Sequence, residues 1–230
     1  MRSTGFSRLL RLAVLEAEAS YVVPCSSGSG HHIWCSEPHL PGLCSAAGGV
    51  TGLGTGGLAT ILPDPVAIFP IRTFGDPVLR VRTKPVKDFD ASLRRLADDM
   101  LETMYDAPGV GLAAPQIGVS KRICVFDAGD GPQVLVNPVL AETSGDWEYH
   151  EGCLSVPGHY WTINRPAFAR AVGQDLDGNP VEFAGDELLG RVLQHEIDHL
   201  EGRLLLTRLD RATRKEAFRA LRNEAIRAPE

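Results

Sequence analysis

The chain has 230 residues, enough for one ordinary domain with a sizeable core, and 43% of them are apolar, as in a soluble globular protein. Its formal charge of −6 creates no field that would gather DNA, RNA or an anionic membrane, so a small molecule or a peptide is the expected ligand. The five cysteines, at 25, 35, 44, 124 and 153, are odd in number and irregularly spaced, no secretory signal accompanies them, and no apolar run reaches bilayer-spanning length, so they read as free thiols.

Residues 1–65 differ in character from the rest. Between Pro24 and Pro65 the chain is thick with Gly, Ser and Pro, and no helical or strand period survives, so disorder is expected there. Three readings of this extension stand. It could be an organellar targeting peptide, with Arg2, Arg8 and Arg11 ahead of the first acidic residue, although Glu16 and Glu18 weaken that reading. It could bind a metal through Cys25, His31, His32, Cys35, His39 and Cys44, which lack a Cys-x-x-Cys knuckle. The favoured reading makes it a non-native extension, with the true start at Val66 and the catalytic domain spanning 66–230 in the cytoplasm.

From Ile68 onward the pattern is that of a folded domain. Leu93, Leu96, Ala97, Met100, Leu101 and Met104 recur at helical spacing over 88–106, with Asp88 or Asp90 as N-cap. Short strand-like runs follow at 123–126, 134–136 and 168–176, and Asp177-Gly178-Asn179-Pro180 is a turn into Val181-Glu182-Phe183. A second helix is expected over 186–200, stopped by Gly202, and a third, charged helix over 211–227. The expected class is α+β: mainly antiparallel sheets around a central metal-binding helix, with a C-terminal helix.

The chemistry starts on the second helix, at Gln194-His195-Glu196-Ile197-Asp198-His199. At 3.6 residues per turn, His195 and His199 share a face and can aim at one metal ion, while Glu196 is rotated beside it as a general base. A third ligand must come from elsewhere, and no histidine follows His199. Cys153, in Glu151-Gly152-Cys153-Leu154-Ser155, would complete a three-ligand site with a fourth position for water. Glu216 and Glu224 keep open a zinc endopeptidase that uses the same helix motif. Directly after the first helix, Gly109-Val110-Gly111-Leu112-Ala113-Ala114-Pro115-Gln116 permits close backbone approach of a ligand and offers an amide donor to a developing oxyanion.

These three segments, in this order, resemble the signature motifs of the peptide deformylases. The similarity runs from about Ile71, where Arg72-Thr73-Phe74-Gly75-Asp76-Pro77-Val78-Leu79-Arg80 resembles the family's opening, to about Arg222. The resemblance implies removal of the N-formyl group from the initiator methionine of nascent chains, releasing formate. It implies one divalent metal on Cys153, His195 and His199, iron(II) or else zinc, with Glu196 as the proton shuttle. The Gln116 amide and the Leu154 N–H would receive the oxyanion. An extended substrate would pair with backbone around Val110, Gly111 and Gly152, and its methionine side chain would enter a pocket lined by Val192 and by Tyr160 with its loop. Family members also dock on the ribosome through a C-terminal helix, which Arg208, Arg211, Arg214, Lys215, Arg219, Arg222 and Arg227 would serve here; a solvated helix face is the alternative.

Overall fold

The computed structural model describes residues 66–227, so the expectations for 1–65 lie outside the described residues. Helix α1 spans Ala91–Asp106, and its N-cap is Asp90, whose carboxylate accepts from the N–H groups of Ser92 and Leu93. Seven strands follow: β1 (Gly111–Ala113), β2 (Ile123–Phe126), β3 (Gln133–Ser144), β4 (Trp147–Gly152), β5 (Tyr160–Arg165), β6 (Phe168–Gln174) and β7 (Pro180–Asp186). Helix α2 spans Glu187–Leu200 and α3 spans Arg211–Arg227. Every pairing between these strands is antiparallel, in a five-stranded sheet ordered β1-β2-β3-β6-β7 and a separate β4–β5 hairpin.

The period-2 alternation of a strand explains how the large sheet is packed. On β2, Ile123 and Val125 join Leu93, Ala97, Met100 and Met104 of α1 on one side. Cys124 and Phe126 join Val192, Leu193, Ile197 and Leu200 of α2 on the other. That strand is buried on both faces, which is why its four residues read as one continuous apolar run. Beyond its first turn helix α2 is covered all round: of the residues from Gly190 to Leu200 only His195 is not buried. Gly202 ends it as expected, in the left-handed conformation at φ 73°, where an added Cβ would lie 2.7 Å from the Arg80 carbonyl oxygen. A third apolar cluster sets Ala217, Phe218 and Leu221 of α3 on Val156, Ile163 and Trp161, beneath the segment that carries Cys153.

Four strands depart most from the sequence expectation. β3 runs on to Ser144 through Asn137-Pro138, where the register shifts and Asn137 adopts φ 52°. Its side chain compensates by bonding both the N–H and the carbonyl of Val86. The hairpin β4–β5 and the three-residue β1 are additional strands.

Candidate metal centre

Cys153, in the turn after β4, and His195 and His199 on α2 are brought together, with their donor atoms all within 4.8 Å of one another. Sγ of Cys153 is 3.2 Å from Nε2 of His199, which is 3.2 Å from Nε2 of His195. Donors about 2.0–2.3 Å from a tetrahedral ion stand about 3.3–3.6 Å apart, so a thiol and two imidazoles at this spacing fit one divalent cation with little adjustment.

The tautomer of His195 is set from behind. Its Nδ1 lies 2.7 Å from Oε1 of Glu151, which directs Nε2 at the other donors. Burial alone would push the Glu151 carboxyl up, but hydrogen bonds and charge from His195 and Arg165 more than reverse this and hold it well below the ordinary carboxylate range. Arg165, almost wholly buried, grips Glu151 with two donors at 2.8 and 2.7 Å and reaches Asp198 with a third at 2.8 Å. Arg208 adds two further bonds to Asp198, at 3.0 and 2.6 Å. Without a cation, burial favours neutral imidazoles. Cys153 and Glu151 outweigh it at His195, whose pKa is raised well above its ordinary value, while burial and His195 together lower that of His199. Cation uptake must therefore expel a proton.

Glu196 lies on the β1 side of this group. A Cβ added to Gly111 would run into its carboxylate, so glycine is what allows β1 to pass this close. Burial pushes the Glu196 carboxyl up to about 7, against the nearby charge of His195, and its Oε2 is buried without a hydrogen-bond partner. Gln116 is oriented by its own backbone: Oε1 accepts from the Ala113 N–H at 2.8 Å, which leaves the Nε2 donor facing Ser155 Oγ at 3.3 Å and Cys153 Sγ at 3.8 Å. The opening motif ties these parts together, since Arg72 N–H donates to the Gln116 carbonyl and Phe74 N–H to that of Ser155.

A cavity of about 690 Å3 opens onto this centre. Val110, Gly111, Gln116, Gly152, Cys153, Leu154, Tyr160, Val192, His195 and Glu196 all line it, so all the expected site residues except His199 reach its wall. His199 is buried behind it. Neither Glu216 nor Glu224 joins the donor group, and Glu224 instead lies 2.8 Å from His159. Glu151, Arg165, Arg191 and Asp198 received no role from sequence. The signal for them was charge inside buried frames, since a ligating histidine needs a carboxylate behind it and that carboxylate needs cations.

A buried helix carrying two imidazoles, a thiol from a neighbouring turn and a carboxylate poised near neutrality together define a metal-dependent hydrolase. The family model for polypeptide deformylase matches residues 68–215. A peptide deformylase from Acidothermus cellulolyticus is 52% identical over 157 residues, covering 68% of this chain and 87% of that protein. Crystal structures agree: the Thermus thermophilus peptide deformylase is 45% identical with a TM-score of 0.66, covering 70% of this chain and 96% of that one. The one from Legionella pneumophila is 44% identical with a TM-score of 0.65, covering 71% and 100%. The chain belongs to the peptide deformylase family. The zinc endopeptidase alternative finds no support in these matches.

Proposed function

We propose that this protein removes the N-formyl group from the N-terminal methionine of newly made chains, releasing formate, with Cys153, His195 and His199 as metal ligands. The observation that carries the reading is the placement of Glu196, buried on the cavity wall beside the three donors with its Oε2 free of hydrogen-bond partners, where it can take and return a proton. A divalent ion held there supplies Lewis acidity that makes water nucleophilic at neutral pH. Glu196 accepts the proton of the attacking water as the new C–O bond forms, and it passes that proton to the amine nitrogen as the C–N bond breaks. The Gln116 Nε2 and the Leu154 N–H face the charge that gathers on the formyl oxygen. An extended peptide pairs with backbone at Val110, Gly111 and Gly152, and its first side chain enters the cavity beside Val192 and Tyr160.

The catalytic domain in this reading spans residues 66–230, which the family match over 68–215 supports, with residues 1–65 as a low-complexity extension to it. Iron(II) is the proposed ion, with zinc as the alternative. The test is formate release from formyl-Met-Ala-Ser, with metal analysis of anaerobically purified protein. Turnover that is lost in air and restored by nickel supports iron, full stable turnover with zinc alone argues for zinc, and no turnover with any of these ions refutes the reading. The proposed location is the cytoplasm, where nascent chains emerge, with organellar targeting by the N-terminal extension as the alternative. Among the described residues no helix is long and apolar enough to cross a membrane. Arg211, Arg214, Lys215, Arg219 and Arg222 line one groove along α3, a basic surface suited to ribosomal RNA. Reversing Arg214, Arg219 and Arg222 to Glu should abolish ribosome co-sedimentation, and unchanged binding excludes that role.

A further inference from the structure

Arg191 lies one turn ahead of His195 on α2, and its side chain is only 4% exposed. Nη1 donates to Oε2 of Glu151 at 2.6 Å and to the Ile163 carbonyl at 3.2 Å, and Nη2 donates to the Trp147 carbonyl at 2.6 Å. Its guanidinium carbon stands 4.7 Å from the Trp147 ring centre and 5.6 Å from that of Tyr149, and these two rings are stacked. Tyr149, Leu188 and Arg191 together line the cavity. The other oxygen of Glu151 is the one that holds His195.

Neutralising Glu151 does not require this residue, because Arg165 already grips both oxygens of that carboxylate. Nor is bulk stability a good reason for it. Its Nε is buried with no hydrogen-bond partner, and an apolar side chain would extend the apolar face of α2 without that penalty. What Arg191 adds is a tie from α2 to the backbone of both strands of the β4–β5 hairpin, through Trp147 and Ile163, from the same fork that touches the carboxylate behind His195.

We propose that Arg191 is a positioning residue that couples the wall of the substrate cavity to the imidazole of His195, so that the seat for the first side chain and the metal ligand are set together. The identity of the substrate rests on the deformylase reading, whereas the effect on the metal ligand does not. The test compares Arg191→Met, Arg191→Lys and Leu188→Ala in two measurements: the rate at which a chelator takes nickel from the loaded protein, and KM with kcat for formate release. Arg191→Met should release metal roughly 10- to 100-fold faster and also raise KM. Arg191→Lys should restore slow release, because an ammonium keeps the pair with Glu151. It should leave KM raised, because an ammonium cannot fork to both carbonyls. Leu188→Ala should raise KM alone. Wild-type release from Arg191→Met overturns the coupling, as does rescue of both properties by lysine, and a lowered melting temperature with neither property changed overturns it too. If the unsubstituted protein turns over no formyl-methionyl peptide, the deformylase reading falls, and the chelator measurement still decides the role of Arg191.

Discussion

Glu196 is raised from its ordinary 4.5 to about 7 chiefly by burial. A carboxyl raised in the folded state favours the protonated form there, so its contribution to stability is complete below 4.5 and is lost as pH rises through about 7. Metal-free protein should therefore lose resistance to urea between about pH 5 and pH 8, and Glu196→Gln should flatten that dependence. Equal slopes would contradict a buried carboxyl. With metal bound, the same substitution should lower kcat by about 100- to 10,000-fold at unchanged metal content. Gly111→Ala tests the neighbouring contact: its Cβ displaces the carboxylate, and a misplaced base costs on the order of 100-fold in kcat. An alanine variant with full kcat would show that β1 can retreat.

At the level of elements, α2 and the hairpin meet through buried charge. Arg165→Met takes one cation from each of Glu151 and Asp198, which keep Arg191 and Arg208, and should cost about 1–3 kcal/mol for the hydrogen bonds left unmade, read from urea unfolding near neutral pH; an unchanged stability would mean that Arg191 and Arg208 suffice. The same charges explain what the sequence concealed. α1, α2 and β2 were legible because their apolar residues recur at the helical period or form a short run. β4 and β5 were not, because Glu151 is the one buried residue of β4, and Ile163 and Arg165 are the only two of β5. Their inward face is built partly from charges that pattern reading assigns to solvent. β3 was cut short at Asn137-Pro138, a pair that ordinarily marks a turn and here makes a bulge. The gathering of Cys153, His195 and His199 with Glu196 and Gln116 around one cavity was legible because spacing on one helix and a motif order fix it, whereas the partners behind these residues depend on contacts no local spacing encodes.

For the molecule as a whole, α3 is part of the core. Ending the chain after Arg208 would strip Ala217, Phe218 and Leu221 from Val156, Ile163 and Trp161, exposing apolar surface worth about 25 cal/mol per Å2. The melting temperature should fall clearly, and an unchanged one would show that α3 rests on the domain without holding it. The placement of the three donors has a mechanical consequence of its own. One comes from the turn after β4 and two from α2, so a shared cation cross-links segments distant along the chain and removes conformational entropy from every state in which the hairpin swings free. Stripping the ion should then speed amide hydrogen exchange first in β4, β5 and the turn between them, while β1 and β2, packed between α1 and α2, keep their protection. Uniform acceleration would instead mean that the sheet and hairpin open as one unit.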